Sequence, residues 1–246
     1  MALKIPTSDG PLDAPERVLV VVAHPDDIDF GSAGTIATLT NAQTHVAYCL
    51  VTSGEAGEDD MTVSSEELAA MREAEQTAAA AQVGVSEIHW LHHPDGRVVA
   101  DLDLRRDISR VIRIVKPDVV ISQNPEPNWD RIYGSHPDHL ATAAATMAAV
   151  YPDSRNPRAH PELLEAGYLP HAVTEVWMGS QEPTRYIDIT PVFEKKVEAL
   201  RAHVSQTARM GERLPELLSE WSSQTAEKAG MPEGSLAEGF RVISAG

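Results

Sequence analysis

Two short motifs contain the residues most able to do chemistry in this chain: AHPDD at 23–27 and HPDH at 136–139. In the first motif, His24 and Asp27 stand three positions apart on a turn that follows a run of apolar residues, so both side chains can point at one centre. An imidazole and a carboxylate suit zinc, which takes three protein ligands at catalytic sites and leaves a position for water. The first motif therefore predicts part of a metal centre.

The second motif can supply the third ligand from either of its histidines. HPDH opens a predicted helix with Ser135 at its N-cap, so His136 and His139 lie on one face of the first turn. Two nitrogens and one carboxylate favour zinc, and Fe(II), Co(II) and Mn(II) also accept this donor set. Ser135 and Asp138 have the spacing of a capping box as well, so Asp138 has a structural explanation that is compatible with a functional one.

Alternating strands and helices are expected to position these motifs. The predicted strands are residues 17–23, 45–51, 87–91, 118–122, 174–178, 185–189 and 238–244. The predicted helices are 31–42, 64–82, 102–115, 191–203 and 214–228, with a further one that opens at HPDH. Ser64 and Glu67 have capping-box spacing at the start of the second helix, and Gly84 would end it. This alternation predicts an α/β fold, a Rossmann-like, mostly parallel sheet with helices on both faces.

Polar segments follow the first four predicted strands at the points where those strands end. They are AHPDD, TSGEAGED (52–59), HHPDG (92–96) and SQNPEPNWD (122–130). Ligands bind beyond the carboxyl ends of the strands in open parallel sheets, so the topology gathers titratable side chains along one rim. This convergence predicts an enzyme rather than a structural protein.

Composition limits the classes of partner and the number of domains. Of the 246 residues, 42% are hydrophobic, which is enough to bury one sizeable core, and we expect a single domain over 1–246. Twenty basic and 37 acidic residues give a net charge of −17, which would repel nucleic acids and anionic membranes. The lone Cys49 excludes an intrachain disulfide, and we see neither a signal pattern nor an apolar run long enough to span a bilayer. We therefore expect a cytoplasmic protein that acts on a small molecule.

The glycines after the first motif have two interpretations. Gly31 and Gly34 open a predicted helix as a phosphate-binding loop would, but the G-x-G-x-x-G pattern of dinucleotide sites is missing. We favour the interpretation that both glycines permit close packing of the helix on a strand.

At these motifs the sequence resembles the LmbE-like (PIG-L type) zinc-dependent N-deacetylases. This family includes the N-acetylglucosaminyl-phosphatidylinositol deacetylases and the deacetylases and amidases of mycothiol and bacillithiol metabolism. The resemblance rests on AHPDD after the first strand and HPDH at the start of a later helix, and it extends to TSGEAGE, to MREAEQTAAAAQVGV with Arg72, to HPDG and to HVSQ. It spans most of the chain and implies a Rossmann-like fold.

The resemblance assigns a role to each candidate residue. The implied metal ligands are His24, Asp27 and His139. Asp26 is implied as the general base, which takes a proton from water and passes it to the leaving amine, while zinc polarises the amide carbonyl. His136 is implied to stabilise the tetrahedral intermediate, with Asp138 behind it to hold its tautomer and raise its pKa. Three further residues are expected to line the mouth and bind hydroxyls or a charged group of the substrate: Asp95, Arg72 and Glu55.

Two places depart from the family pattern. Ile28 stands where the family commonly has Glu, and Asp29, one position later, is a candidate substitute for its supporting role. Tyr133 lies shortly before HPDH, but the sequence alone assigns it no part in stabilising an oxyanion. His203, in HVSQ, is likewise left without a role.

These features together predict a metal-dependent hydrolase that removes an acyl group, expected to be acetyl, from an amine on a small polar substrate. The resemblance implies an N-acetylglucosaminyl moiety as substrate, zinc as the metal and a tendency toward homo-oligomers. Two alternatives stay open at this point. One is an amidase that acts by the same mechanism on a thiol conjugate of the mycothiol type. The other is a metal-free sugar- or nucleotide-binding protein on the same fold, which would not need clustered histidines and aspartates.

Overall fold

Short runs rich in valine and isoleucine form a central β-sheet. The computed structural model describes residues 3–57, 62–130, 132–180 and 182–246. The strands found there are β1 (Lys4–Ile5), β2 (Leu12–Asp13), β3 (Arg17–Val22), β4 (His45–Leu50), β5 (Glu87–Trp90), β6 (Val119–Ser122), β7 (Glu175–Gly179), β8 (Arg185–Asp188) and β9 (Ala237–Ser244). All seven strands predicted from the sequence are present, each within two residues of its expected ends.

The sheet is mostly parallel, as predicted. Its strand order is β5-β4-β3-β6-β7-β9-β8, and the five strands from β5 to β7 pair in parallel with their neighbours. Strand β9 runs antiparallel to both β7 and β8, while β1 and β2 form a separate pair. From β3, the next strands along the chain (β4 and β5) are added on one side, and β6 and β7 are added on the other. Ligands of open α/β sheets bind in the crevice at such a switch in strand order.

Helices cover both faces of the sheet. They are α1 (Asp27–Asn41), α2 (Ser65–Gln82), α3 (Leu102–Val115), α4 (Pro137–Ala148), α5 (Pro161–Glu165), α6 (Phe193–Ala202), α7 (Val204–Thr207) and α8 (Arg213–Lys228). Side chains of β3 alternate between the two layers: Val20 packs in the core with residues of α1, α2 and α6, whereas Leu19 and Val21 pack with α3 and α4. Within the described ranges, no helix is both long enough and apolar enough to cross a membrane.

Two helix starts differ from the prediction. Helix α1 begins at Asp27 rather than at residue 31, and helix α4 has His136 rather than Ser135 as its N-cap. The reason at α4 is a competition between acceptors: His136 Nδ1 accepts the N–H of Asp138, while Ser135 Oγ accepts the N–H of Asn128 (2.7 Å). The Ser64 capping box at α2 is confirmed.

The two glycines of α1 have different surroundings. A Cβ added at Gly34 would lie 2.7 Å from Ile189 Cγ2, directly after β8, so the close-packing interpretation is confirmed at this position. A Cβ at Gly31 would meet nothing within 4 Å, so the same interpretation is wrong there. Of these two glycines, Gly34 alone is needed for packing.

Replacing these glycines by alanine should therefore have opposite effects on stability. Gly34→Ala should lower the free energy of unfolding by about 1–3 kcal/mol, because the new methyl group overpacks a contact with Ile189. Gly31→Ala, in the same helix, should raise it by about 0.5–1 kcal/mol, because alanine is the better helix former. Urea unfolding of both variants measures this, and equal effects of the two substitutions would contradict the packing account.

Candidate metal and catalytic site

The parallel topology brings the predicted motifs to one edge of the sheet. The 23–27 segment leaves β3 and runs into α1, and Asp95 lies in the loop after β5. The HPDH motif begins α4, which follows β6. Because β3, β5 and β6 run in the same direction, their carboxyl ends present these segments to a common centre.

The nitrogen and oxygen atoms of three side chains, His24, Asp27 and His139, lie close together at this centre. His24 Nδ1 lies 3.2 Å from His139 Nε2 and 3.3 Å from Asp27 Oδ2, and His139 Nε2 lies 3.1 Å from Asp27 Oδ1. The backbone N–H of His24 donates to Asp27 Oδ2 (2.8 Å), which fixes the turn between them. Ring nitrogens of His24, His136 and His139 all lie within 4.8 Å of one another. This donor set could hold a divalent metal.

His24 is surrounded by carboxylates. Its Nε2 lies 2.9 Å from Asp95 Oδ1 and 3.3 Å from Asp138 Oδ2, while its Nδ1 faces Asp27. Burial by itself would lower the pKa of His24, but the hydrogen bonds and charges of Asp27 and Asp95 outweigh burial and raise the pKa to about 10. Burial would raise the pKa of Asp27, whereas its hydrogen bonds to His139 and His24 hold that pKa well below its usual range. The cluster therefore requires positive charge at its centre, supplied by a proton or by a metal.

Asp95 was expected at the mouth of the site, but it is buried behind His24. Its side chain is 6% exposed; Oδ1 accepts the Nε2–H of His24, and Oδ2 accepts the backbone N–H of Ala56 (2.9 Å). Burial would raise the pKa of Asp95, but the His24 hydrogen bond, followed by the Ala56 N–H, lowers it to about 2. A carboxylate in this position fixes the tautomer and the orientation of the imidazole.

Asp138 also lies behind His24, and not behind His136 as expected. Its Oδ2 accepts the N–H of Gly96 (2.7 Å) and its Oδ1 accepts the N–H of Val98 (3.2 Å). His136 Nδ1 accepts the backbone N–H of Asp138 (3.2 Å), so the proton of a neutral His136 is on Nε2. Burial, and then the charge of His24, lower the pKa of His136 and outweigh Asp138, which acts to raise that pKa as expected. The backbone sets the His136 tautomer instead.

Asp26 occupies an uncommon backbone conformation between β3 and α1. Its φ of 76° lies in the left-handed region, where non-glycine residues are rare and tend to occur at functional sites. Two residues of α2 hold it there: Asp26 donates its N–H to Gln76 Oε1 (2.9 Å), and its Oδ2 accepts from Arg72 Nη2 (3.0 Å). Burial, and then the charge of Asp27, raise the pKa of Asp26 to about 7, although Arg72 acts to lower it.

Arg72 was expected to line the mouth, but only 4% of it is exposed. Besides Asp26, its guanidinium donates to the carbonyl oxygens of Gly54 and Pro25, both at 2.9 Å. Gly54 has a φ of +71°, and a Cβ there would lie 2.3 Å from Arg72 Nη1, so TSGEAGE needs glycine at this position. The Arg72 side chain thus connects the loop after β4 to the base of the turn at Asp26.

Glu55 also contacts the protein itself. It is partly exposed, and its Oε1 accepts the backbone N–H of Asp95 (2.8 Å), which joins the loops that follow β4 and β5. Glu55 was expected to bind substrate, but the contact seen in the structure is this hydrogen bond to the backbone of Asp95. The end of TSGEAGED, at residues 58 and 59, and the side chain of Tyr133 lie outside the described residues.

A buried polar chain supports Asp26 from behind, and Gln76 is the member that the sequence patterns missed. Asp29 Oδ2 accepts from Gln76 Nε2 (2.8 Å) and lies 2.8 Å from His203 Nε2; the side chains of Asp29 and His203 are fully buried. Gln76 joins this pair to the N–H of Asp26. One signal could have found Gln76, because it stands four positions after Arg72 on the same helix face.

A cavity of about 750 Å³ opens beside the cluster, with His139 in its wall. It lies against the loop that follows β6, the end of β7 and the middle of β9. A parallel sheet whose carboxyl edge carries a His–Asp–His cluster, a neighbouring aspartate and a ligand-sized cavity defines a hydrolase whose site can hold a metal.

Comparison with known proteins identifies the family within this class. Residues 19–150 match the profile of PIG-L, described as GlcNAc-PI de-N-acetylase. The chain is 34% identical to the diacetylchitobiose deacetylase of Thermococcus kodakarensis, over 80% of this chain and 72% of the relative. It is 33% identical to the probable N-acetyl-α-D-glucosaminyl L-malate deacetylase 2 of Bacillus cereus, over 79% of this chain and 85% of the relative.

A solved structure agrees with these matches. The N,N′-diacetylchitobiose deacetylase of Pyrococcus horikoshii superposes with a TM-score of 0.85 at 30% identity, over 94% of this chain and 85% of that chain. The chain belongs to the PIG-L (LmbE-like) family of N-deacetylases.

The electrostatics of His24 predict how pH affects the stability of metal-free protein. The folded state raises the pKa of His24 from 6.5 to about 10. The stabilisation is thus fully present below pH 6.5 and is lost as pH rises through about 10, because the folded chain keeps a proton that the unfolded chain releases. Urea unfolding of chelator-treated protein across this range should show a falling free energy of unfolding, and Zn²⁺ should reduce the slope by replacing the proton.

The control for this prediction is His24→Gln, which cannot titrate at that position. The difference in free energy of unfolding between wild type and His24→Gln should shrink as pH rises. A constant difference across the range would contradict the proposed charge balance of the cluster.

Proposed function

We propose that this protein is a zinc-dependent N-deacetylase that removes the acetyl group from an N-acetylglucosaminyl unit of a small saccharide. The observation that carries the proposal is the convergence of His24, Asp27 and His139 beside Asp26 at the end of β3. The relatives named above support the substrate, since they are a diacetylchitobiose deacetylase and a probable N-acetylglucosaminyl-malate deacetylase.

The donor set fits zinc in both type and spacing. Zinc with ligands at about 2.0–2.1 Å in tetrahedral geometry places the ligand atoms about 3.3 Å apart. His24 Nδ1 and His139 Nε2 lie 3.2 Å apart, and each faces a different oxygen of Asp27: Oδ2 at 3.3 Å from His24 and Oδ1 at 3.1 Å from His139. When bound there, the ion supplies polarisation of an amide carbonyl and a lowered pKa for water.

Asp26 is the general base in this proposal. It is adjacent to Asp27 in sequence but does not share in the close contacts of the three ligand residues. Its carboxylate, oriented by Arg72 at Oδ2, can therefore take a proton from the attacking water. Burial, and then the charge of Asp27, raise the pKa of Asp26; a cation held by Asp27 opposes both effects and favours the ionised base at neutral pH. After attack, Asp26 passes the proton to the leaving amine.

His136 is the electrophilic partner. Its Nδ1 is occupied by the N–H of Asp138, so its Nε2–H can donate to the oxygen of the acyl carbonyl as negative charge develops there. The centroid of the His136 ring lies 5.0 Å from that of His24 and 5.4 Å from that of His139, so His136 lies beside the reacting centre. A neutral donor suffices for this role, in keeping with the lowered pKa of His136.

The remaining site residues position these groups. Asp95 and Asp138 orient His24 through its Nε2, and Arg72 and Gln76 hold the turn at Asp26. Glu55 fixes the loop that carries Asp95. None of these roles requires contact with the substrate.

We also propose a cellular setting for this activity. A single buried free cysteine, Cys49, supports a reducing cytoplasm, and the charge of −17 supports a small, non-anionic substrate in place of nucleic acid or a membrane surface. The continuous run from β3 to β9 through one sheet supports a single domain over 1–246. A homo-oligomer is proposed only on the family's tendency, and the mass of the purified protein tests it.

Metal removal and return should switch the activity off and on. Chelator-treated wild type should release no acetate from N-acetylglucosaminyl sugars, and added Zn²⁺ should restore release. His139→Ala should lose metal and lower the rate by more than about a hundredfold, since loss of even an outer partner of a metal ligand costs up to that much. His45→Ala is the matched control. His45 is exposed at the start of β4 and pairs with Glu87 at the start of β5.

Two results would contradict the proposal. One is full activity of wild type after chelation. The other is a His139→Ala protein that keeps both metal and activity.

A further inference from the structure

Apart from His139, the side chains in the wall of the cavity beside the proposed metal site have no part in the proposed reaction. The cavity, about 750 Å³, falls in the size range of small-ligand sites. Its wall comes from the loop after β6, from the residues after β7 and from β9. The loop after β6 contributes Gln123, Asn124, Glu126, Asn128, Trp129 and Asp130.

The charged groups of this wall are mostly acidic. Among the described lining residues, three carboxylates (Glu126, Asp130 and Glu182) face one guanidinium, that of Arg241. A substrate whose second group is a carboxylate or phosphate would meet net repulsion there, and the whole chain carries −17 in the same sense. A neutral ligand with many hydroxyls would meet acceptors without that repulsion.

Three amides supply fixed donors in the same wall. Gln123 Oε1 accepts the N–H of Ala23 (3.1 Å), and Asn124 Oδ1 accepts the N–H of Glu126 (2.9 Å). Asn128 Oδ1 accepts the N–H of Asp130 (3.1 Å). Because each oxygen accepts a backbone N–H, the orientation of each amide is fixed, and among the described residues its NH₂ group donates no hydrogen bond. They are available to donate to hydroxyl or acetamido oxygens of a ligand.

Trp129 presents an aromatic face at this cavity. It is 80% exposed, more than any other large apolar side chain in the described ranges. The loop that carries it is anchored, since Asn128 donates its N–H to Ser135 Oγ (2.7 Å) and Asp130 donates to Asn128 Oδ1. A mostly exposed indole in the wall of a ligand-sized cavity offers an apolar face with a polar N–H at its edge to a bound ligand. A pyranose with equatorial hydroxyls fits it, because its axial C–H groups form an apolar face and its rim carries the polar groups.

We propose that Trp129 and the amides around it form a subsite for a second, neutral pyranose ring, next to the sugar whose acetamide reacts. Trp129 then determines specificity for an N-acetylated disaccharide or longer oligosaccharide over an N-acetylglucosamine that bears an anionic group. This inference rests on the proposed deacetylase function and adds the substrate class.

The test compares sugars that do and do not reach this subsite. Zinc-loaded wild type, Trp129→Ala and Trp129→Phe are assayed for acetate release from diacetylchitobiose, from N-acetylglucosamine and from N-acetylglucosaminyl-malate. Trp129→Ala should raise KM for the disaccharide about tenfold with little change in kcat, since an aromatic contact is worth about that much. It should leave kcat/KM for the monosaccharide within about twofold, and Trp129→Phe should retain most of the disaccharide activity.

The matched control is Trp221→Ala, which removes a half-exposed tryptophan on α8, away from this cavity. It should behave as wild type on all three sugars. The proposal is overturned if Trp129→Ala affects monosaccharide and disaccharide equally, or if wild type prefers the malate conjugate to the disaccharide. It is also overturned if Trp129→Ala changes the oligomeric mass and lowers activity on all sugars, which would make Trp129 a contact between subunits.

A binding measurement separates failure of the subsite from failure of the proposed reaction. Calorimetry follows diacetylchitobiose binding to zinc-loaded Asp26→Asn and to Asp26→Asn/Trp129→Ala. If wild type releases no acetate but binding still depends on Trp129, the subsite stands and the reaction fails. If wild type releases acetate but Trp129 affects neither binding nor KM, the reaction stands and the subsite fails.

Discussion

Repulsion among carboxylates gathered in one partly buried space is the constraint on which the rest of the site depends. Asp27, Asp95 and Asp138 all approach His24 within 3.3 Å. Such a cluster is stable only around positive charge, because burial removes the water that would otherwise screen the negative groups. The folded chain places His24 at the centre and leaves its Nδ1 directed at Asp27 and His139. A divalent metal satisfies the same requirement and adds the chemistry that amide hydrolysis needs.

The cluster forms because parallel strands end at the same edge of the sheet, and not because its residues are close in sequence. Parallel strands β3, β5 and β6 end at the same edge, so segments far apart along the chain contribute to one centre. Helix α2 then acts as the support for the base, through Arg72 and Gln76 on one of its faces. The left-handed turn at Asp26 separates the base from the ligand Asp27, although the two are adjacent in sequence. Asp29 and His203, buried behind Gln76, complete this support.

The sequence predicted which residue types meet, and it was less informative about where each side chain points. Strand and helix periodicity, together with the order of AHPDD and HPDH, predicted the parallel sheet and the residues at its carboxyl edge. Asp95 and Arg72 were expected at the mouth because a motif shows position along the chain but not the hydrogen bonds that draw a side chain inward. The start of α1 was misplaced because the glycines suggested a loop where the helix had already begun. Trp129 carries no periodic signal, so its exposure was visible only in three dimensions.

Substitution of the proposed base while the ligands stay intact tests the account most directly. Asp26→Asn keeps the size and shape of the side chain, and Asp103→Asn on α3 is a matched exposed control. Metal content and acetate release from diacetylchitobiose are measured on both variants and on wild type. The account predicts about one metal per chain in all three proteins and a rate for Asp26→Asn that is lower by about a hundredfold to ten thousandfold, the range for loss of a general base. An Asp26→Asn protein that hydrolyses at the wild-type rate, or that loses its metal together with its activity, would contradict the separation of base from ligand.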